Sequence, residues 1–261
     1  MIPIEIIAYI ANYNSPNILN IILLNKYISI HIFDYITHVI LMTTKNITNK
    51  KLRQFKNLEH LHIEENTSIN NKTINSLKNL RHLHISFCNR LNNSAIKNLV
   101  HLEHIKLYNN TKINDKAFTK LTNLKHLDIS KNKSITDKGI KHLTKLKSLV
   151  LPYNTNITDE GIESMRNLKY LNLFCNENIT DRGIQNLTNL NYAILEHNEN
   201  ITDKGIKNLK DLRILDLYSN RNLTEDVIKE LKHLIRLDFR FERMIYKTIE
   251  EDNVIRDIHI C

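Results

Sequence analysis

Ile135-Thr136-Asp137-Lys138-Gly139-Ile140 recurs as Ile157-Thr158-Asp159-Glu160-Gly161-Ile162, as Ile179-Thr180-Asp181-Arg182-Gly183-Ile184 and as Ile201-Thr202-Asp203-Lys204-Gly205-Ile206. The step is 22 residues each time, and these phrases hold all 4 glycines of the 261-residue chain. Weaker copies continue the phase: Ile113-Asn114-Asp115-Lys116-Ala117-Phe118 precedes the series, and Ile47-Thr48-Asn49 and Leu223-Thr224-Glu225 mark the ends of its clear part. A fixed period of this size is the signature of stacked repeats. One such unit cannot bury its apolar side alone, so neighbours must pile one upon the next.

Each unit has two halves. In Leu146-Lys147-Ser148-Leu149-Val150-Leu151-Pro152-Tyr153-Asn154, Leu149 and Leu151 alternate with Ser148 and Val150. That period of two predicts a short strand with one buried face. In the second half, Ile140, Leu143 and Leu146 fall at three-residue steps, which predicts one face of a helix. Thr136 or Asp137 is placed to cap it. Asn66, Asn110, Asn132, Asn154, Asn176, Asn198 and Asn220 recur in phase and predict a column of amides bonding loop backbone that no strand satisfies.

The Leu-x-x-Leu-x-Leu-x-x-Asn pattern, recurring about ten times in register, resembles the leucine-rich repeat family over residues 36–261. The Ile-Thr-Asp-x-Gly-Ile phrase is similar to the cysteine-containing subclass found in F-box proteins. Here Asn mostly stands in place of that subclass's ladder cysteine, and Cys88 is the exception. The resemblance implies an α/β fold, a right-handed solenoid of 22-residue repeats with a parallel sheet on its concave face. Near the C-terminus the phase slips. Ile255, Ile258 and Ile260 come one residue early, and the chain stops at Cys261 with no polar end cap in sight.

Residues 1–35 do not share the phase. Pro3 followed by Ile6, Ile7 and Ile10 predicts a short amphipathic helix, and Ser15-Pro16 opens a second one carrying Ile18, Ile21 and Ile22. From the spacing alone this is a helical cap over the first repeat. Ile2-Pro3-x-Glu5-Ile6-Ile7-x-x-Ile10, with Leu24-Asn25-Lys26 at its end, also resembles an F-box. Asn14 and Ile28 depart from that pattern. The resemblance implies docking onto a Skp1-like adaptor of a cullin–RING ubiquitin ligase through Ile2, Pro3, Ile6, Ile7, Ile10, Ile18 and Leu24. It further implies a target protein held on the concave repeat surface. The Ile, Asn and Lys bias makes the chain similar to F-box and repeat proteins of giant DNA viruses that infect amoebae.

Composition bounds the rest. Apolar residues make up 41% and charged residues 25%, which places the chain among ordered globular proteins. Only 3 prolines rule out collagen-like and linker-like architectures. Asn, Ile and Lys have AT-rich codons, so part of their abundance records the coding sequence. The apolar run Ile18–Leu24 falls short of a membrane span, and Glu5 in a start without a basic region argues against a secretory signal. The 3 cysteines, irregularly spaced, make neither a disulfide framework nor a zinc knuckle. These features lead to the expectation of a cytoplasmic, reducing setting, in the host cell where the chain is viral.

Outward strand positions align in two columns. One reads His38, His60, His82, His104, His126, Ser148, Tyr170, Tyr192, Ile214, Arg236; the other reads Ile40, His62, His84, Lys106, Asp128, Val150, Asn172, Ile194, Asp216, Asp238. The histidine-rich part predicts stacked, partly hydrated imidazoles of lowered mean pKa, with a metal- or pH-responsive binder as the rival reading. Flat columns lack the convergence that zinc prefers. Tyr170, Phe174, Tyr192 and Tyr218, with Asp216, Arg236, Asp238 and Arg240, form the candidate target-binding patch. A net charge of +9 raises nucleic acid as a partner, but Lys138, Lys141, Lys145 and Lys147 fall in the helical halves, so none is expected. No phosphate-cradling loop, metal motif or activated nucleophile is present, so neither enzyme activity nor a cofactor is implied. The expected function is that of a substrate-recruiting adaptor of a ubiquitin ligase. A plain interaction scaffold with a capped N-terminus is the alternative.

Overall fold

The computed structural model describes residue 34 and residues 36–42, 48–66, 68–154, 156–238 and 247–248. The F-box-like positions Ile2, Pro3, Ile6, Ile7, Ile10, Ile18 and Leu24 lie outside the described residues, as do Arg240, Ile255, Ile258 and Ile260. The chain divides into two compact units between Leu124 and Lys125.

In the first unit, strands β1 (His38–Met42), β2 (His60–Glu64), β3 (His82–Ser86) and β4 (His104–Tyr108) alternate with single turns of helix, α1 (Asn49–Leu52), α2 (Asn71–Ser76) and α3 (Asn93–Ile96), and with a 3-10 turn, Asp115–Ala117. The strands pair in parallel with the repeat step as their register: His38 faces His60, His60 faces His82 and His82 faces His104.

The second unit continues the pattern. Its strands are β5 (His126–Asp128), β6 (Ser148–Val150), β7 (Tyr170–Asn172), β8 (Tyr192–Ile194), β9 (Ile214–Asp216) and β10 (Arg236–Asp238). Between them lie α4 (Asp137–Ile140), α5 (Asp159–Ile162), α6 (Asp181–Ile184), α7 (Asp203–Ile206) and α8 (Glu225–Glu230). Leu127, Leu149, Leu171, Ala193, Leu215 and Leu237 stand partner to partner along the sheet. All but Leu237 are at most 1% exposed, so the repeat step becomes a continuous apolar column. The parallel series ends on a reversal. β11 (Lys247–Thr248) pairs antiparallel with β10, so among the described residues the last parallel strand does not present a bare edge.

The helical halves are shorter than their apolar spacing predicts. α4 stops at Ile140, and Leu143 and Leu146 sit on successive turns closed by bonds from Leu143 N to Ile140 O (2.8 Å) and from Leu146 N to Leu143 O (3.1 Å). A three-residue apolar step suits such turns as well as a helix face, because i to i+3 bonding eclipses side chains at that interval.

Three sets of polar side chains knit successive repeats. The buried asparagines form the first. Asn154 Nδ2 donates to Asn132 O (3.0 Å), Asn176 Nδ2 to Asn154 O (2.7 Å), and Asn220 Nδ2 to Asn198 O (2.6 Å). Each Oδ1 takes a backbone N–H two residues on, as Asn176 does from Asn178 (3.1 Å). A second, exposed set includes Asn57, Asn79, Asn123, Asn167 and Asn189, each donating to a carbonyl 23 residues earlier. Much of the asparagine bias therefore has a structural use.

The third set corrects the capping expectation. Thr180 and Thr202 cap α6 and α7, but no side-chain cap bond forms at α4 or α5. The aspartate beside each threonine bonds the next repeat instead. Asp159 accepts from Thr180 N (2.8 Å) and Thr180 Oγ1 (2.7 Å), and Asp137 treats Thr158 alike. The glycine of the phrase makes room for this carboxylate. A Cβ on Gly183 would lie 2.5 Å from Asp159 Oδ1 and 3.1 Å from Ile179 Cγ2. Gly183→Ala is expected to destabilise the protein by about 1–2 kcal/mol, because displacing the carboxylate from its two bonds outweighs the helix propensity gained. A urea midpoint equal to that of the wild type would refute this.

Candidate functional site

In the first unit the outward side of the sheet is built from imidazoles. His38 and His60 stack with ring centroids 3.8 Å apart, His60 and His82 at 4.0 Å, and His82 and His104 at 3.9 Å. His62 and His84 form a parallel pair at 3.8 Å. Parallel-strand register places identical rings face to face, and interplanar angles of 12–21° leave their nitrogens in nearly parallel planes. Among the described residues, no three His, Cys, Asp or Glu side chains are grouped to hold a metal ion. Burial, and then the charges of His38, His82 and His104, lower the pKa of His60 to about 4. Burial also lowers His38 and His62, against the opposing pull of Glu59 and Glu64 respectively.

In the second unit the outward side is aromatic and acidic. Tyr170 and Tyr192 meet edge to face at 4.9 Å, and burial pushes the Tyr170 phenol up. Asp216 and Asp238 are register partners on adjacent strands. Arg236 bonds Asp238 at 2.8 Å, so the two aspartates are sheet neighbours with one of them already paired. This is not a buried acid/base couple.

Beyond the strands the chain turns sharply, at positions the repeat pattern does not flag with glycine. Lys131, Tyr153, Cys175, His197 and Ser219 all have positive φ, between 52° and 57°. Side-chain-bearing residues seldom adopt this left-handed region. At Lys131, Tyr153, Cys175 and His197 the conformation is held because the backbone N–H reaches the next repeat, as Tyr153 N does to Phe174 O (3.0 Å) and His197 N to Tyr218 O (2.9 Å). The turn displays a rim of rings. Tyr153 meets Phe174 at 5.1 Å, Phe174 meets His197 at 5.9 Å, and His197 meets Tyr218 at 5.6 Å, all edge to face. Tyr153 is 44% exposed, and Lys131 Nζ lies 5.4 Å from the centre of its ring.

Of the candidate binding residues, Tyr170, Phe174, Tyr192, Asp216, Tyr218, Arg236 and Asp238 lie on the outward side of the second unit or its rim. Tyr153, Glu196 and His197 join them and were not singled out by sequence. Their columns keep no one residue type from repeat to repeat, so periodicity is silent there. Lys138, Lys141, Lys145 and Lys147 are exposed on α4 and the turns after it, away from the outward strand positions. No helix among the described residues is long and apolar enough to cross a membrane.

Comparison with known proteins agrees with this architecture. A family model described as Zer-1-like, leucine-rich repeats matches residues 71–155, and a second, described as leucine rich repeat, matches residues 164–188. Neither describes a catalyst. No curated protein matches the sequence. Among solved structures, a chain of the yeast Rad7 and Elc1 complex superposes with a TM-score of 0.63 at 19% identity, covering 88% of this chain and 69% of that one. An internalin of Listeria monocytogenes gives 0.59 at 21%, covering 79% and 68%. A leucine-rich-repeat protein of Leptospira interrogans gives 0.62 at 26%, covering 79% of this chain and 55% of that one.

Proposed function

We infer that this leucine-rich-repeat chain is a non-catalytic recruiting protein. Its outward sheet face binds a target protein, and residues 1–35 form an F-box-like segment that joins the repeat domain, residues 36–261, to a Skp1-like adaptor of a ubiquitin ligase. The observation carrying the binding role is the row of rings from Tyr153 through Phe174 and His197 to Tyr218, with Tyr170 and Tyr192 beside it. The solenoid core closes without these side chains. Large rings displayed on a rigid sheet are the residue type that anchors protein interfaces. Support for the adaptor half comes from Ile2-Pro3-x-Glu5-Ile6-Ile7-x-x-Ile10 standing directly before the repeats. A chain of similar fold is itself found in a two-protein complex, that of Rad7 and Elc1. The Ile, Asn and Lys bias favours an origin in a giant DNA virus acting in host cytoplasm.

The test is a pull-down with purified Skp1. The wild type is expected to retain it, and a Pro3→Ala/Ile6→Ala/Ile7→Ala variant is expected to lose it while keeping the wild-type urea midpoint. No retention by the wild type would leave the repeat domain as a plain interaction scaffold with a helical cap.

A further inference from the structure

Among the described residues, the outward side chains around β8 to β10 carry the opposite sign to the chain as a whole. The chain carries a net charge of +9, with 37 Lys and Arg against 28 Asp and Glu. Across β8 to β10, however, the outward charged side chains among the described residues are Glu196, Asp216 and Asp238 against Arg236. Arg236 is taken by Asp238 at 2.8 Å. No described lysine or arginine forms an ion pair with Glu196 or Asp216; His197 Nε2 lies 3.9 Å from Glu196 Oε1, and Arg236, bonded to Asp238, acts on Asp216 from the neighbouring strand.

These two carboxylates are diagonal neighbours. Asp216 faces Ile194, two residues before Glu196, and the bond from His197 N to Tyr218 O (2.9 Å) carries the pairing on, setting Glu196 beside Tyr218. Burial followed by repulsion from Asp216 raises Glu196 against the pull of His197, and burial and Asp238 raise Asp216, while the Tyr218 N–H and Arg236 oppose the rise. The rings of Phe174 and Tyr218 stand on either side of Glu196 in its column. Carboxylates that repel one another beside aromatic faces suit a cation, which the carboxylates attract by charge and the rings by their quadrupoles. The same carboxylates repel a phosphate backbone.

We propose that this face receives an extended protein segment bearing lysine or arginine, its cationic groups seated on Glu196 and Asp216 between Phe174, Tyr192 and Tyr218. The proposal rests on the reading of the outward face as a binding surface and adds the chemistry of the partner. Successive strands are about 4.8 Å apart, so the rings from Phe174, just past β7, to Tyr218, just past β9, span roughly three residues of extended chain.

The test uses the full chain and three fluorescein-labelled 12-residue peptides alternating glycine with lysine, arginine or glutamate. In fluorescence anisotropy at about 50 mM salt, the lysine and arginine peptides are expected to bind saturably, at least about tenfold tighter than the glutamate peptide, and to weaken at about 300 mM. Glu196→Gln/Asp216→Asn is expected to weaken binding about tenfold or more. Because it removes a repulsion, the same variant is expected to unfold at equal or higher urea than the wild type, which separates lost binding from lost folding. Glu160→Gln/Glu163→Gln, on and just after α5, is expected to change nothing. The proposal is overturned by absence of saturable binding of both basic peptides, by unchanged affinity in the Glu196/Asp216 variant, or by spermidine binding as tightly as the peptides. If Phe174→Ala/Tyr192→Ala abolishes binding of the glutamate peptide while Glu196→Gln/Asp216→Asn has no effect, the face still binds protein and only the charge inference falls. If no outward-face variant alters binding of any peptide or target, both fall.

Discussion

Asn176→Ala is expected to lower the free energy of unfolding by about 3 kcal/mol. Asn176 is fully buried. Its Nδ2 donates to Asn154 O at 2.7 Å, and its Oδ1 accepts from Asn178 N at 3.1 Å. Truncation takes both bonds away and strips Asn154 O of its amide donor in a dry interior, where a lost partner costs about 1–3 kcal/mol. A small cavity adds to the loss. Asn189, in the exposed set, makes a bond of similar length to Arg166 O (2.8 Å), but water replaces it, so Asn189→Ala is expected to cost under about 1 kcal/mol. Urea denaturation of the two variants side by side is the measurement, and equal midpoints would refute the ranking. Nature supplies a milder substitution at Cys88. There a thiol lies 3.2 Å from Ser86 O, while Asn110 Oδ1 accepts from the Cys88 N–H at 3.0 Å. Asn176→Cys is accordingly expected to cost less than Asn176→Ala.

Acidification is the second large effect, and its sign follows from the imidazole stack. His60 has a pKa of about 4 in the folded chain, against about 6.5 when unfolded. Between these values the unfolded chain binds the proton and the folded chain does not, so stability falls as pH drops through that window. His38 and His62, also lowered, act in the same direction. The stack is partly exposed, and solvent screening reduces the effect to about 1–2 kcal/mol between pH 7 and pH 4.5. Glu196 and Asp216 are raised and work in the opposite sense over the acid range, so the diagnostic quantity is a difference between variants. His60→Tyr keeps a ring in the stack but removes the proton site, and is expected to flatten the pH dependence of the urea midpoint. An NMR titration placing His60 near pH 6.5, or a His60→Tyr profile parallel to that of the wild type, would sink the argument.

The core was legible because the same role returns every 22 residues. The repeat step alone places Leu127, Leu149, Leu171 and Leu215 on one column, and the asparagines from Asn132 to Asn220 on another. What periodicity could not show is which partner each polar group takes. Asp137 opens α4 next to its N-cap residue, Thr136, and its carboxylate bonds Thr158, 21 residues on, which depends on side-chain direction rather than spacing. The left-handed turns at Tyr153, Cys175 and His197 carry no glycine to announce them. Glu196 was invisible for another reason: its column reads Phe174, Glu196, Tyr218, and a position that changes with every repeat has no phase to detect. β11 escaped because the repeat has decayed before Lys247, and a reversed strand follows none of its rules.

Most of the amide bonds and all of the Asp–Thr bonds between repeats reach back or forward by 21 to 23 residues, to the matching place in the neighbouring repeat. Inserting one amino acid anywhere in a repeat would misalign the buried asparagines, the Asp–Thr pairs and the leucine column together. A clean gain or loss of a whole 22-residue block would leave every bond type intact at the new junction. The architecture thus tolerates copying far better than slippage, and duplication of entire blocks is the route by which such a chain can lengthen its binding face without ever passing through an unstable ancestor.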